Sequence, residues 1–583
     1  MYFIDSVDWR LHYSFAAAYL DASGRTPVGT HEQFNLLNYR RDGRRFVLGK
    51  LVRYRDQDLA TVEMSAGDTA DVDLIAFAFA RVAASVYDGD ALRYRPVSAH
   101  QEALLAELGE RIPVIASEAV FAGQDYQPLH QTVGHGTLRF VRLADLPATT
   151  LSATDIAVFD GVPDELPLVS GVITSQFQTP LSHINLLAKN RGTPNMALRD
   201  AFDAPALRAF EGSLVRLQVG PQEFVLAPSD AETAQLSWDQ LRPAEDWSPV
   251  CDDTVIGPVD IAQITAEDRQ TVGAKAANMG EMTRVSETAP GVVIPLPEAP
   301  FALPFAHYRQ HLQEHPHIGA LIDALLAELP LAPEELETRL FEIRWAIFST
   351  PMSPALASAV ADELRTRFGE DTRVRFRSST NVEDLELFSG AGLYTSAGAT
   401  WSEGLEAIES AIKVVWASAW NLQAFVERDF YRVDHQEVCM AVLVHPAFED
   451  EEANGVAITI NEFSAQRPAY YINSQIGEHS VSNPVGRETP EQILYYTWYE
   501  QPEYEVITRS SLLLADDGDW PAGVAVLTDA ELAELATFLG ALHSHFRQVL
   551  QGGQDFALDV EFKLAPGRQL FIKQARPLAR RVL

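Results

Sequence analysis

Short apolar runs alternate with amphipathic stretches along most of this chain, a pattern that predicts a mixed α/β protein. The apolar runs 155–159 and 170–174 each predict a strand, and a helix is predicted over 181–190, where Gly192 and Pro194 end it. A hairpin is predicted near 214–226. Farther along, we predict helices at 317–330 and 332–348 and strands at 373–380, 438–444, 455–461, 556–564 and 569–574.

The same patterning divides the chain into four segments. Residues 1–148 mix strand-like and helix-like stretches and predict an N-terminal α+β domain, whereas 149–228 predict a compact α/β unit. Residues 229–262 are acidic and interrupted by proline, as is typical of a linker. Residues 263–583 return to globular patterning and predict the largest domain. We therefore expect a multidomain α/β protein.

Composition narrows the classes of partner. The 583 residues carry a formal net charge of −36, from 45 basic and 81 acidic residues, which argues against non-specific nucleic-acid binding and against anchoring on anionic lipid. Cys251 and Cys439 are too few for a disulfide framework or a Cys-rich zinc site. Because we find neither a signal-peptide pattern nor an apolar run of about 18 residues, we expect a soluble, cytoplasmic protein.

His183 is the first candidate for chemistry. It ends the segment TPLSH, 179–183, where a loop enters a predicted helix. Backbone N–H groups and the helix dipole favour an anion at such a position. A neutral histidine there is a competent nucleophile for a phosphoryl group, although it could also serve only as a helix cap.

Two further stretches suit phosphate binding. GAKAANM, 273–279, surrounds Lys275 with small residues at a predicted helix start, in a chain with only six lysines. RFRSST, 375–380, places Arg377 before hydroxyl residues and a glycine-containing loop that includes Gly390. A Walker A loop is absent. Taken alone, each could be an ordinary loop with a solvated cation.

The predicted C-terminal hairpin offers a metal site. Asp559 and Glu561 point to one face of a strand, so their carboxylates suit a hard cation such as Mg²⁺, unless the strand is simply solvated. Gln574 and Arg576 lie alongside on the second strand. Metal carboxylates combined with cations facing the transferred group are what phosphoryl transfer requires.

These motifs occur together in one known superfamily. Residues 265–578 resemble the ATP-grasp nucleotide domain of pyruvate phosphate dikinase and PEP synthase, through GAKAANM, RFRSSTNVEDL, GAGLY, MAVLVHPAF, NGVAITIN and DVEF followed by QARP. Residues 150–228 resemble the swivelling phosphohistidine domain of the same enzymes, through TPLSHINLLAKNRGTPNMAL. The resemblance implies an ATP-grasp domain joined to a small α/β carrier domain. The linker would be the hinge about which the carrier domain swings between the nucleotide site and a second, distant site.

The resemblance also implies residue roles. Lys275, Arg377 and Arg576 would hold the triphosphate, and Gly390 would belong to the lid over it. Glu561 and Asp559 would hold Mg²⁺ beside Gln574, and the adenine hinge would include Val444 and His445, where family members often have Gln in place of the histidine. His183 would accept the β-phosphoryl of ATP and carry it onward. Leu181 departs from the Thr that commonly precedes the family's histidine motif.

The acceptor is left open by the sequence. The order of the domains is closest to the α-glucan water dikinases, and 1–148 is the candidate acceptor domain by position. The PEP/pyruvate barrel of roughly 250 residues has no counterpart here, so we do not expect a self-contained PEP synthase. A small-molecule or glycan acceptor, an acceptor site on a separate subunit, and an ATP-sensing phosphohistidine regulator all fit. The γ-phosphoryl would go to water or phosphate.

Overall fold

A computed structural model of the chain describes most residues. The described residues are 1–578 apart from 5–11, 22, 25–26, 30–32, 35–36, 39–43, 55–58, 65–67, 97–100, 102–103, 116–124, 150, 164–165, 179–182, 244, 384–392, 462–466, 480, 482–489, 498–502, 511, 514–524 and 554. They form two compact units. One comprises Met1–Gln124, Ile460–Ser474 and Glu488–Thr528, and the other comprises the remaining residues.

The first unit contains a small three-stranded sheet and further antiparallel strands. Strands Gly49–Tyr54 and Leu59–Met64 are antiparallel, and Leu92–Tyr94 runs parallel to the second of them. The helix Val72–Ala83 begins at Asp71, whose side chain accepts a hydrogen bond from the Leu74 N–H, and it packs on a core that includes Phe79 and Tyr94. The remaining elements are helices His12–Phe15 and Leu105–Gly109, and strands Glu491–Tyr496 and Glu503–Thr508, antiparallel to each other.

The second unit begins with a seven-stranded sheet, here called the seven-stranded domain, 125–228. Its strands, in spatial order, are Phe224–Pro228, Leu214–Val219, Val133–Val141, Asp155–Phe159, Gly171–Thr174, Asn195–Leu198 and Tyr126–His130. The four strands from Val133–Val141 to Asn195–Leu198 are parallel, and their apolar side chains are buried on both faces, as covered parallel strands require.

Helices cover the two faces of this sheet. His183–Arg191 packs through Ile184 and Ala188 on one face, and Pro205–Arg208 packs through Leu207 on the other. The strands predicted at 155–159 and 170–174 and the helix predicted at 181–190 are confirmed to within a few residues. The sheet also extends beyond the predicted span 149–228, because two of its strands lie at Tyr126–His130 and Val133–Val141.

The segment predicted as a linker contains regular structure. Its helix Ala231–Leu241 starts at Asp230, which accepts hydrogen bonds from the N–H and hydroxyl of Thr233, and Trp238 Nε1 donates to the His135 carbonyl at 2.6 Å. The two cysteines form one disulfide, Cys251–Cys439, across 188 residues of sequence. Thus the segment is fastened at both ends.

The remainder of the second unit is the larger domain. One sheet has the order Val259–Asp260, Phe301–Leu303, Met440–Pro446, Val374–Thr380 and Ala397–Ala399. Strand Ala453–Ile458 pairs with Leu558–Ala565, which pairs with Gln569–Pro577, and the last two strands are the predicted C-terminal hairpin. Strand Ala469–Ile476 begins in the first unit and ends in the second.

Helices enclose these strands. Phe301, Phe376 and Trp416 lie in one buried apolar cluster, to which the helices between Phe305 and Phe430 contribute. The helices predicted at 317–330 and 332–348 are confirmed. The helices are Arg269–Met282, Phe305–Glu314, Pro316–Glu328, Pro333–Ser349, Pro354–Phe368, Leu405–Ala417, Leu422–Phe430 and Asp529–Val549. In the described part of the chain, no helix combines the length and hydropathy needed to cross a membrane.

Candidate nucleotide and phosphoryl-transfer site

A tight turn sets the position of Lys275. Gly273 has φ of +78°, a conformation open to glycine, and a Cβ placed on it would lie 2.4 Å from the Ser379 backbone. Ser379 Oγ donates to the Val272 carbonyl at 2.7 Å and accepts from the Ala276 N–H at 3.0 Å. One hydroxyl thus clamps the turn from both sides and presents Lys275 beside the strand Val374–Thr380.

Lys275 is held by two groups of the Arg377 strand region. Its Nζ donates to Glu383 Oε1 at 2.7 Å and to Ser378 Oγ at 3.1 Å. The Glu383 side chain is 3% exposed, while that of Lys275 is 16% exposed, so the ammonium retains a path to a ligand. The lysine is therefore oriented before any phosphate binds.

Arg377 joins this strand to the C-terminal hairpin. It is buried, and its guanidinium donates to Gln574 Oε1 at 2.7 Å and to the Lys573 carbonyl at 3.4 Å, with Glu561 at 4.0 Å. These contacts join residues almost 200 positions apart in sequence. Two of the predicted motifs, RFRSST and QARP, therefore meet in space.

A β-bulge gathers the hairpin's charges on one side. Glu561 pairs with Gln574, but the next residue, Phe562, pairs with Ile572, which leaves Lys573 as an extra residue in its strand. Lys573 Nζ donates to Glu561 Oε2 at 2.8 Å. Regular alternation would turn neighbouring side chains to opposite faces, whereas here both Lys573 and Gln574 serve the same cluster.

Asp559 completes the hairpin's carboxylates. Its Oδ2 accepts from Arg576 Nη2 at 2.7 Å and from Nε at 3.1 Å, while its Oδ1 is buried and, among the described residues, has no hydrogen-bond partner. No group of three or more His, Cys, Asp or Glu suited to a metal ion is found among the described residues. A cation here would have to share two carboxylates with oxygens of its ligand.

The electrostatics of the cluster keep its carboxylate ionised. Burial disfavours the charged form of Glu561, but the positive charges of Lys573 and Arg377 outweigh it and hold the pKa of that carboxyl well below its usual range. Glu561 favours the charged form of Lys573, yet burial and the nearby Arg377 together lower the pKa of the ammonium. Burial also lowers the pKa of Arg377. The site concentrates charge in a desolvated position.

His445 lies on the same sheet as Arg377. In the antiparallel register Arg375 faces His445 and Phe376 faces Val444. The imidazole is 1% exposed, and burial, reinforced by Arg377, lowers the pKa of His445 to about 3. Its Nδ1 lies 2.7 Å from the Pro446 carbonyl and must donate to it. The neutral Nε2 is then a buried acceptor that, within the described residues, has no partner.

The remaining predicted residues fall in different places. His183 is the first residue of the helix His183–Arg191 in the seven-stranded domain. Gly390, in the predicted lid, and the segment 179–182 lie outside the described residues. The structure therefore brings together Lys275, Arg377, Asp559, Glu561, Gln574 and Arg576 around one hairpin and strand.

Sequence reasoning overlooked Lys573. Lys573 directly precedes Gln574 and is one of only six lysines in the chain. Its rarity and its position are the features of the sequence that could have marked it as a site residue. Alternation along a regular strand places it away from Glu561, and only the bulge reverses that placement. Glu383 lies within the motif RFRSSTNVEDL, but the motif alone does not identify it as the partner of Lys275.

Comparison with known proteins identifies the larger domain. Residues 269–582 match the family model described as pyruvate phosphate dikinase, AMP/ATP-binding domain. The phosphoenolpyruvate synthase of Aeropyrum pernix is 28% identical over 355 residues, covering 52% of this chain and 40% of that protein. The rifampicin phosphotransferase of a Streptomyces species is 28% identical over 222 residues, covering 38% of this chain and 24% of that protein. The chain thus spans less than half the length of these relatives.

Solved structures with partial likeness are ligases. D-alanyl-alanine synthetase A from Vibrio cholerae aligns over 39% of this chain and 47% of its own at 12% identity, with a TM-score of 0.18. The D-alanine–D-alanine ligase from Coxiella burnetii aligns over 53% of this chain and 51% of its own at 9% identity, with a TM-score of 0.20. Such scores are too low to support inference about the site.

The family assignment rests on the AMP/ATP-binding match, which covers more than half of the chain. It confirms the predicted superfamily, and with the mixed sheets described above it confirms a multidomain α/β fold with an ATP-grasp nucleotide-binding domain. This protein belongs to the family defined by the pyruvate phosphate dikinase AMP/ATP-binding domain.

Proposed function

We propose that this protein is an ATP-dependent, dikinase-type phosphotransferase in which His183 carries the β-phosphoryl of ATP to an acceptor. The observation that supports it most is the cluster of the buried Arg377 with the half-buried Lys573 and Glu561, which lies with Lys275 inside the AMP/ATP-binding match. Phosphoryl transfer depends mainly on positioning and charge neutralisation, and this cluster supplies groups for both.

The cations would bind the triphosphate. In the described structure, a carboxylate or an amide already contacts each of the cations Lys275, Arg377 and Arg576. A bound triphosphate would replace these contacts with its own oxygens, and the three side chains would not have to move in from solvent. Arginine donors bind phosphate through two parallel hydrogen bonds, whereas lysine acts as a point charge. Preoriented donors avoid the cost of ordering long side chains on binding.

Asp559 and Glu561 would hold Mg²⁺. The residues fit this ion because Glu561 is ionised and Asp559 Oδ1 is a buried oxygen without a partner among the described residues. Mg²⁺ is commonly held by one or two carboxylates together with phosphate oxygens and water. When bound, it would neutralise part of the charge on the phosphates.

Val444 and His445 would contact the adenine base. His445 Nε2 is an acceptor, so it can accept a hydrogen bond from the exocyclic amino group of adenine. Guanine has a carbonyl oxygen at the same position, which cannot donate and would be repelled by Nε2. This contact would favour ATP over GTP. A glutamine, which family members often have here, offers the same acceptor through its carbonyl oxygen.

The chemistry assigned to His183 is nucleophilic. An imidazole nitrogen would attack the β-phosphorus, the bond from that phosphorus to the α-phosphate oxygen would break, and AMP would leave with the electron pair. The γ-phosphoryl would then pass to water or phosphate, and the β-phosphoryl would pass from the imidazole to the acceptor. We place no name on the acceptor, which could be a small molecule, a glycan, or a substrate bound by a separate subunit.

The decisive experiment follows the label of ATP. The purified chain with Mg²⁺ is given ATP labelled separately at the β and γ positions, and protein-bound label and released nucleotide are measured. We expect acid-labile β-label on the protein together with AMP, abolished in His183→Gln. The matched control His130→Gln removes another imidazole of the same domain, one whose Nδ1 contacts the Thr193 carbonyl at 2.7 Å, and should keep the label.

Three other outcomes would count against the proposal. Transfer of the γ-label alone with release of ADP would indicate an ordinary kinase. Retention of β-label in His183→Gln would assign the phosphoryl carrier to another residue. A stable phosphoprotein that passes its label only to other proteins would favour the regulatory alternative over an enzyme with a metabolite acceptor.

A further inference from the structure

We infer that Arg191 and Glu427 form a positioning pair that holds the seven-stranded domain against the nucleotide domain for phosphorylation of His183. The inference rests on the proposed function and adds residues that bind neither nucleotide nor metal. Arg191 is the last residue of the helix that begins at His183. Glu427 lies on Leu422–Phe430, a helix of the larger domain.

The pair is buried and its geometry is fixed from both sides. Arg191 Nη2 donates to Glu427 Oε1 at 2.8 Å, and the two side chains are 9% and 1% exposed. Arg191 Nη1 also donates to the Leu166 carbonyl at 2.7 Å, and Gln423 donates to Glu427 at 3.0 Å. The guanidinium is thus secured within its own domain, while the carboxylate is secured within the other.

A second set of contacts lies beside the pair. Arg242, directly after the helix Ala231–Leu241, donates to the Asp429 carbonyl at 2.9 Å and to the Phe430 carbonyl at 3.1 Å. Trp247 exchanges backbone hydrogen bonds with Arg432 and Asp434, both at 2.9 Å. The connecting segment therefore follows the end of the same helix, so its contacts and the ion pair hold a single arrangement of the domains.

The docking helix also packs against residues next to the nucleotide site in sequence. Ala424 packs in a buried cluster with Val382 and Leu393, which directly flank the segment that includes the predicted lid. Val382 precedes Glu383, the partner of Lys275. The helix that carries Glu427 therefore packs on the residue directly before Glu383, without itself contacting the nucleotide residues.

Arg191 acts at a distance from the chemistry. Arg191 lies eight positions after His183 on the same helix. At the usual rise of an α-helix, this places the two backbone positions about 12 Å apart. If His183 moves between the nucleotide site and an acceptor site, the Arg191–Glu427 pair has to separate in each catalytic cycle and re-form before the next phosphorylation. Removing one partner leaves the other charge without its counter-ion in the docked state, which disfavours docking.

The test is single-turnover labelling of the full chain with β-labelled ATP at saturating concentration. We expect Glu427→Gln and Arg191→Gln each to slow the appearance of label on His183 by about tenfold, with no further loss in the double variant, since both remove one interaction. Glu211→Gln is the matched control, because its partner Arg208 lies in the same domain and that pair does not separate. Its rate should equal that of the unsubstituted protein.

Two readouts distinguish positioning from general damage. The Kd for ATP, measured by calorimetry, should be unchanged in all variants, because the pair does not contact the nucleotide residues. The exchanged pair Arg191→Glu with Glu427→Arg should recover part of the rate. If Glu427→Gln fails to fold, Arg191→Lys replaces it, since a lysine keeps the charge but cannot donate from two nitrogens as arginine does.

Failure of this inference is separable from failure of the proposed function. Normal labelling rates in Glu427→Gln and Arg191→Gln, with label still lost in His183→Gln, would overturn the positioning pair and leave the dikinase chemistry standing. Absence of β-label in the unsubstituted protein would overturn the proposed function itself. A proportional rise in the Kd for ATP would assign the pair a structural role instead.

Discussion

Two regions of the second unit, the seven-stranded domain and the strands of the larger domain, bury different kinds of side chain. In the seven-stranded domain, Asp155–Phe159 and Gly171–Thr174 bury mainly aliphatic and aromatic groups between two helical layers. In the larger domain, the strands bury the charged Arg377 and the amide Gln574, which contact each other and the half-buried Glu561. Under the proposed function, the seven-stranded domain would be the body that moves, and the strands of the larger domain would surround the ligand.

The difference has an energetic consequence. Burying an apolar side chain stabilises the fold directly, whereas burying ionised groups costs solvation that their mutual attraction only partly returns. Under the proposed function, the charges around Glu561 would serve binding and transfer rather than stability. Substitutions in the two sheets should separate activity from stability, and this can be measured.

Arg377→Gln should give the largest effect. We expect the rate of protein labelling from β-labelled ATP to fall on the order of 10²–10³-fold, the usual cost of removing one preorganised charge-stabilising donor. The midpoint of thermal unfolding should change little, because the variant removes a desolvated cation. Loss of folding together with activity would contradict the view that this sheet serves its ligand first.

Ile173→Ala tests the other sheet. The side chain is fully buried in the centre of the seven-stranded domain, and its truncation should lower the free energy of unfolding by about 2–5 kcal/mol. Calorimetric unfolding and denaturant titration check this. The Kd for ATP should stay unchanged at a temperature where the protein is folded. A weaker Kd with unchanged stability would reverse the comparison.

Lys573→Met should have an intermediate effect on binding. The variant removes the cation nearest Glu561, and we expect the Kd for ATP to rise about tenfold, as for loss of a charged hydrogen bond. Lys563→Met is the matched control on the paired strand, since Lys563 contacts Glu451 instead. Equal effects of the two substitutions would show that general positive charge, and not the bulge, supports binding.

The smallest effect concerns pH. His445 has a pKa of about 3 in the folded protein, against a reference near 6.5 for an unfolded chain. Below about pH 6.5 the unfolded state binds a proton that the folded state does not, so the free energy of unfolding should decrease as the pH falls from 6.5 toward 3. Urea titrations at pH 7.5, 6.5 and 5.5 should show a flatter dependence for His445→Gln. An unchanged slope would contradict the neutral, buried imidazole.

Local pattern predicted much of the architecture. The strands at 155–159 and 170–174, the paired helices after 316 and the C-terminal hairpin follow from hydrophobic periodicity and from glycine and proline signals, which act over a few residues. The convergence of Lys275, Arg377 and Glu561 was expected from the motif set alone. Their roles in binding, and the likeness in domain order to α-glucan water dikinases, stay predictions.

Long-range contacts were beyond sequence reasoning. The Arg191–Glu427 pair spans 236 positions, and although Arg191 lies within TPLSHINLLAKNRGTPNMAL, nothing in that motif marks Glu427 as its partner. His445 Nε2 has no hydrogen-bond partner among the described residues, and it is left as an acceptor because the Pro446 carbonyl takes the proton of the other ring nitrogen. Both features arise from packing between elements, which a hydrophobic pattern along the chain does not encode.

Deletion of Lys573 from its bulge should affect the site more than the folding of the hairpin. Removing that one residue would leave Glu561 opposite Gln574 and Phe562 opposite Ile572, now as an uninterrupted ladder. The hairpin would therefore accept a one-codon deletion that eliminates the ammonium beside Glu561 and the carbonyl that Arg377 contacts. A library selected for soluble expression should retain this deletion, whereas a library selected for turnover should discard it.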